Sequence, residues 1–429
     1  MVKKQMPPQD QVFWYLERDK ILPCMHDMHA DVVIVGGGMS GLSAAQAWQK
    51  RGKKVVLLER FYCGAGATGK SSGFITPNAE LSLSEMTNRY TADGAFKIWN
   101  MISDGVENIR SNIIDFNFDC DYQLQDTIIL ANTLSAMKDL QLEHENLEKF
   151  GYKTQFYQKD SIQNYIGSQD YVGGIVYENS FGIDGYKYCQ AMKRHLQSLG
   201  VLIFEETPVT SIEDHTVITA HAKITGDYIV VATDRFMPEL GLLEQEVYHV
   251  QTFLMASQVL SDDQIKIIFP QKKFMAWDTD FIYQYFRVTG DNRLLLGGGN
   301  LSSTYSSQPM HDYQKMVDKL TAYISTKFPE LEIVFEQMWP GLIGISKDIA
   351  PLVGRDKNKS YLFYIASSTG LPIAAALGSY SAANLLDDNQ YLDAYFSPYR
   401  KFPISGIAQS LLGTKISFML SHLIKKNIP

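Results

Sequence analysis

Three glycines, Gly36, Gly38 and Gly41, stand in G-x-G-x-x-G spacing between a short β-branched run, Asp31 to Gly36, and a helical pattern, Met39 to Arg51. A second apolar run, Lys54 to Glu59, follows, so the stretch reads as a βαβ unit. The three glycines serve distinct physical ends. Gly36 makes the tight turn, Gly38 lets backbone amides approach a pyrophosphate, and Gly41 lets the helix lie close on the sheet. The helix N-terminus adds unpaired N–H groups and about half a positive charge. Glu59, 18 residues after Gly41, ends the second strand, where a carboxylate can accept hydrogen bonds from an adenosine ribose. Strand, glycines, helix, strand and acid arrive in the order a dinucleotide site requires, and an acid at position 59 argues against the 2′-phosphate of NADP.

The rest of the composition sets limits. The 429 residues suffice for two or three core-forming units. With 45% hydrophobic and 20% charged residues the chain reads as a soluble globular protein. A net charge of −8 leaves no electrostatic footprint for nucleic acid. The N-terminal lysines precede no apolar run of the kind a signal peptide needs, and no stretch is long and apolar enough to span a bilayer. Cys24, Cys63, Cys120 and Cys189 are far apart in sequence and form no CxxC pair, which suits reduced thiols in a cytoplasmic protein.

Along the chain, Phe13, Trp14 and Tyr15 predict an aromatic strap over the nucleotide unit. Gly64, Gly66, Gly69 and Gly73 mark a loop passing along a cofactor, where small residues let the backbone come close. Residues 92 to 116 predict a helix, Gln123 to Ala131 a strand and Thr133 to Phe150 a second helix, together an insertion in the nucleotide fold. That fold resumes from Gly185 to Asp234. The stretch 248–336 is β-rich and contains a hairpin turning at Gly290 and Asp291, with Tyr283, Tyr285 and Arg287 on one face. A helix is expected over His311 to Phe328 and a closing strand near Glu332 to Met338. A final strand leads through Gly370 and Pro372 into a small-residue helix, presenting a second helix N-terminus at a strand end.

In this order the motifs DVVIVGGGMSGLSAA, LLER, GATGKSSG, IVVATD, YFRVTGDNRLLLGGGN, WPGLIGISKDIAPLVG and ASSTGLP resemble the D-amino-acid oxidase-type flavoproteins, which include glycine and sarcosine oxidases. Within that group the chain is most similar to gamma-glutamylputrescine oxidoreductase-like proteins. The resemblance covers nearly the whole chain. It implies an α/β fold: a Rossmann-like, glutathione-reductase-type FAD domain over 1–90, 170–247 and 340–399, an antiparallel substrate domain over 91–169 and 248–339, and a tail over 400–429. It implies oxidation of an amine C–N bond, with oxygen, a quinone or a carrier protein as acceptor. It also implies cofactor contacts at Met39, Ser40, Arg60, Ala67, Thr68, Lys70, Ser72, Gly73, Val209, Ala232, Gly341, Gly370, Leu371 and Pro372. Two motifs depart from the family: GKSSG keeps a cation as Lys70 but loses a glycine, and Pro372 removes a backbone donor. Gly341 stands where sarcosine oxidase has its flavin-linking cysteine, so FAD is expected to be held non-covalently.

No metal-ligand spacing or nucleophile elbow is visible, and flavin chemistry requires neither. The expected catalytic side chains are Lys70 at the flavin edge and Tyr285 with Arg287 on the substrate face, Arg287 clamping a substrate carboxylate. A small amine or amino acid is the expected substrate, and a flavin-binding partner subunit without turnover is the rival reading. The tail carries Arg400, Lys401, Lys415, Lys425 and Lys426 and no acid from Ala394 onward, with Ile416, Met419, Leu420, Leu423 and Ile424 at helical spacing. Such a helix can dock on its parent domain, the favoured reading, or lie on an anionic membrane.

Overall fold

The computed structural model describes residues 12–14, 21–299 and 313–426, with the side chains of Leu423, Ile424, Lys425 and Lys426 outside that description. Tyr15 and the expected helix start at His311 also lie outside it. The apolar β-branched run is the strand Met28–Val35, and it pairs in parallel with Val55–Leu58 on one side and Lys223–Val231 on the other. Eight strands make this sheet, with Leu202–Phe204 continuing one side and Leu362–Ala366 joining Lys223–Val231 in parallel. Its inner strands are buried on both faces, which explains their unbroken apolar sequences.

A second eight-stranded sheet runs from Phe335–Ser346 through Val247–Val259, Arg293–Gly298, Tyr285–Val288, Met275–Asp278, Thr127–Ala131 and Gly173–Tyr177 to Thr154–Gln158. It is antiparallel except where Met275–Asp278 meets Thr127–Ala131. Two of its strands run across the expected domain limits: Gly173–Tyr177 lies beyond residue 169, and Phe335–Ser346 straddles residue 340. Phe74–Ile75, Phe181–Gly182 and Gln123–Leu124 form a small third sheet beside the cofactor loop. The expected single strand from Gln123 to Ala131 is therefore two strands in two sheets. Between them the buried Gln125 donates through Nε2 to Val288 O at 2.7 Å.

The long helix Leu83–Asp115 begins earlier than its periodicity suggests. Ser82 and Glu85 form a capping box, and the helix kinks where Thr91 takes φ +66°. Helices Met39–Lys50 and Leu371–Asp387 cross in close contact, because Gly378 lets the Ser40 carbonyl approach to where a Cβ would stand. Gly105 does the same against the Pro372 carbonyl. The start of Met39–Lys50 is thus braced on the middle of Leu371–Asp387, and the start of Leu371–Asp387 on Leu83–Asp115.

The tail folds as Gly406–Leu412 and Thr414–Lys426. Phe418 is fully buried against Val250 and Ile345, with its ring 5.4 Å from that of Tyr248. His422 donates through Nε2 to Ser346 O at 2.8 Å, and Lys347 donates to Gln409 Oε1 at 2.7 Å. One face of the tail is therefore docked on the strand Phe335–Ser346, while Ile407 and Leu411 remain 79% and 84% exposed. Among the described residues no helix is long and apolar enough to cross a membrane.

Candidate active site

The turn after Met28–Val35 is built from positions that reject side chains. Gly36 has φ +110° and its missing Cβ would stand 2.5 Å from Ala232 O. Gly41 takes the Gly36 carbonyl where its Cβ would be. Gly41 therefore supports the turn from beneath, and it is Gly36, Gly38, Met39 and Ser40 that line the cavity beside it. Glu59 accepts from Gly37 N at 2.6 Å and from Phe61 N at 2.9 Å. Burial pushes its carboxyl up, and the two amide bonds work against that rise.

The glycine-rich loop is pinned onto this turn. Met39 N donates to Thr68 Oγ1 at 3.1 Å, Trp14 Nε1 to Gly69 O at 2.6 Å, and Trp339 Nε1 to Lys70 O at 3.0 Å. Trp14 and Trp339 meet edge to face at 5.8 Å, so the aromatic strap holds the loop as much as it covers it. Beneath, Glu205 accepts from Cys63 N at 2.8 Å and pairs with Lys193 at 3.2 Å, both side chains buried. Nothing in the local pattern of VLIFEE or AMKRHL distinguishes these two residues. Asp234 likewise carries no local signal. It holds φ +48° and accepts from Gly344 N at 2.6 Å and Ser367 N at 3.1 Å, tying the two sheets together at the cavity wall.

These parts enclose one cavity of about 1100 Å³. Its wall includes Glu59, Arg60, Ala67, Thr68, Lys70, Ser72, Gly73, Val209, Ala232, Gly341, Gly370, Leu371 and Pro372, together with Tyr285. Thr233 Oγ1 and Thr369 Oγ1 are buried in this wall without a protein partner, as expected of donors shaped for a bound polar ligand. Gly370, at φ +113°, opens the helix Leu371–Asp387 toward the same space. A dinucleotide cofactor fits this lining: small residues where its backbone neighbours must approach, two helix N-termini, and orphaned hydroxyls.

Tyr285 faces the cavity as expected. Burial raises its phenol to about 12, so it is neutral at physiological pH. Arg287 corrects the sequence reading. It lies on the expected face of its strand, but it is fully buried and does not line the cavity. Its Nε donates to Ser72 O at 2.6 Å and its Nη2 to Ile183 O at 2.7 Å. The loop at Ser72 and Gly73 covers it, so the guanidinium holds the cofactor loop and cannot clamp a substrate carboxylate. Burial lowers its pKa to about 10, with Asp121, Asp184 and Asp291 opposing the shift, and it stays cationic at neutral pH.

Comparison with known proteins places this geometry. The family model "DAO: FAD dependent oxidoreductase" matches residues 31–384. The chain is 27% identical over 381 residues to the "Probable oxidoreductase OrdL" of Haemophilus influenzae, covering 86% of this chain and 85% of that one. It is 27% identical over 384 residues to the gamma-glutamylputrescine oxidoreductase of Escherichia coli, covering 87% and 88%. Among solved structures, glycine oxidase from Geobacillus kaustophilus superposes with a TM-score of 0.73 at 19% identity, over 87% of this chain and 99% of that one. L-proline dehydrogenase from P. horikoshii superposes with a TM-score of 0.75 at 17% identity, over 87% and 98%. These two structural likenesses concern the fold.

Proposed function

This chain belongs to the DAO family of FAD dependent oxidoreductases, and from that premise we propose that it oxidises the C–N bond of a small amine or amino acid to an imine. Water then hydrolyses the imine to a carbonyl product. The observation that carries this reading is that one cavity is lined both by the dinucleotide turn and by the aromatic strand face with Tyr285. An inert flavin carrier needs the first wall and not the second.

Two-electron oxidation of the substrate carbon is the chemistry FAD supplies when bound. The chain's residues do the rest. The turn at Gly36 and Gly38 and the N-terminus of Met39–Lys50 would hold the pyrophosphate, and Glu59 would accept a ribose hydroxyl. Lys70 and the N-terminus of Leu371–Asp387 would supply positive potential where charge develops on the reduced ring. The neutral phenol of Tyr285 and the aromatic wall around it would border the substrate and limit the access of water while the imine forms. Gly341 has no side chain to bond the flavin, so the cofactor is held non-covalently. Electrons then pass to oxygen, giving hydrogen peroxide, or to a quinone or carrier protein.

Anaerobic mixing of the holoenzyme with a panel of amines and amino acids tests the reading. Bleaching of the oxidised flavin spectrum by a panel member is the expected result. Reduction by dithionite and by no amine or amino acid would sink it.

A further inference from the structure

Four aromatic side chains in the cavity wall touch in a closed circuit. Phe74 stacks on Trp277 at 5.9 Å, Trp277 meets Tyr283 at 6.4 Å, Tyr283 meets Tyr285 at 6.0 Å, and Tyr285 meets Phe74 edge-on at 6.1 Å. All four are partly exposed and all four line the cavity. At the edge of this quartet Glu80 accepts from Tyr283 Oη at 2.7 Å. The quartet comes from three separate stretches of chain, around residues 74, 277 and 283–285, so the fold assembles it.

The charges of the cavity wall are unevenly placed. Among the described residues its cations are Arg60, Lys70 and Arg235. Arg60 is paired with Glu239 at 2.6 Å, Arg235 lies over the Phe236 ring at 3.8 Å, and Lys70 belongs to the cofactor loop. None stands in Phe74–Ile75, Met275–Asp278 or the stretch 283–285 that supply the quartet, and Arg287 is shut beneath Ser72. Several acids near the quartet have structural duties: Glu143 accepts from Leu83 N and Ser84 N, Glu85 closes a helix cap, and Asp278 accepts from Asp280 N. Glu80 is exposed and stands at the rim of the rings, where it accepts from Tyr283. A ring quartet with a carboxylate at its rim attracts a cation through the ring quadrupoles and the carboxylate together, while the Glu80 charge repels a carboxylate ligand.

We propose that Phe74, Trp277, Tyr283 and Tyr285 with Glu80 form an ammonium seat that selects the substrate. The inference rests on the amine-oxidation reading and narrows it: the favoured substrate carries a second cationic nitrogen, as an α,ω-diamine does, and not a carboxylate. One nitrogen occupies the seat while the C–N bond of the other is oxidised, so the spacing between the two nitrogens sets the chain length accepted.

The test uses FAD-loaded full-length protein and three probes of equal chain length: an α,ω-diaminoalkane, the n-alkylamine and the ω-amino acid. Anaerobic stopped-flow reduction should be fastest with the diamine. Glu80→Gln, which keeps a partner for Tyr283, should lower kcat/KM for the diamine about fivefold, in keeping with an exposed charge pair. Trp277→Leu should lower it about tenfold through the lost cation–π contact. Both should lower kcat/KM for the n-alkylamine by a smaller factor than for the diamine. Equal losses on all three probes, or fastest reduction by the ω-amino acid, would overturn the seat. Tetramethylammonium, whose nitrogen has no lone pair with which to form a C=N bond, separates the seat from the oxidation reading. It should perturb the flavin absorption of the wild type and do so less in both variants, whether or not any amine is turned over. No perturbation in the wild type would overturn the seat even if amines reduce the flavin. Should Trp277→Leu lose FAD, Tyr283→Leu, which also removes a ring face, takes its place, with the same expected preference for affecting the diamine.

Discussion

Replacing Arg287 by alanine distinguishes a residue that builds the cofactor loop from one that binds substrate. The guanidinium is fully buried and makes charge-assisted bonds to Ser72 O at 2.6 Å and Ile183 O at 2.7 Å. Bonds of this kind are worth about 1.5–3 kcal/mol each, so losing two removes roughly 3–6 kcal/mol of gross stabilisation. Relief of the desolvated charge offsets part of it, leaving about 3–4 kcal/mol, a large share of the 5–15 kcal/mol typical of whole proteins. The loss should fall on one place. Ile183 N donates to Gly73 O at 2.9 Å, so Arg287 grips both sides of the pairing that carries Ser72 and Gly73 into the cavity wall. Arg287→Ala should therefore unfold at lower denaturant and bind FAD at least tenfold more weakly in an apoprotein titration. Whatever holoenzyme forms should lose activity equally on substrates with and without a carboxylate. A variant of wild-type stability and FAD affinity that loses turnover on carboxylate-bearing substrates alone would refute this account and restore the substrate clamp.

Gly38→Val should yield apoprotein. A Cβ at Gly38 already comes within 3.3 Å of Thr68 Oγ1, and the valine methyls would both disturb the Met39–Thr68 bond and occupy the space of the pyrophosphate; full-occupancy FAD in the purified variant would contradict it. Burial alone would raise the Asp348 carboxyl, but ion pairs with Arg400, at 2.7 Å, and with Arg89 outweigh this and hold it well below the usual carboxylate range. Its folded pKa is thus below the unfolded value, about 3.9, so its contribution is complete above that value and is lost as pH falls through the depressed one. Asp348→Asn should cost about 3–5 kcal/mol at pH 7, by leaving two arginines unpaired, and the gap from wild type should narrow below about pH 4 in denaturant titrations. Deleting residues 414–429 should lower thermal stability by exposing the site of Phe418. If the deletion instead leaves stability unchanged and abolishes sedimentation with anionic vesicles, the helix Thr414–Lys426 faces lipid rather than its parent domain.

What could be read in advance divides by which part of the chain does the binding. Around the dinucleotide the backbone does it, and backbone requirements are local: Gly36 at φ +110° and Gly41 under the Gly36 carbonyl are demands a glycine satisfies within its own turn. The family resemblance extended this to the Lys70 loop and the Gly370 helix start, both of which line the cavity. Strand alternation likewise placed Arg287 on the correct face, yet alternation is silent about what covers that face. The cover is Ser72, 215 residues away in sequence. The same limit hid the Lys193–Glu205 pair, the turn at Asp234 and the break at Gln125, whose partner Val288 lies 163 residues on. The substrate half suffers most, since Phe74, Glu80 and Trp277 acquire meaning only when the cofactor loop meets the second sheet. A chain can therefore announce its cofactor through short-range glycine geometry while its substrate stays illegible, because selectivity here is a property of side chains that only the folded sheets bring together.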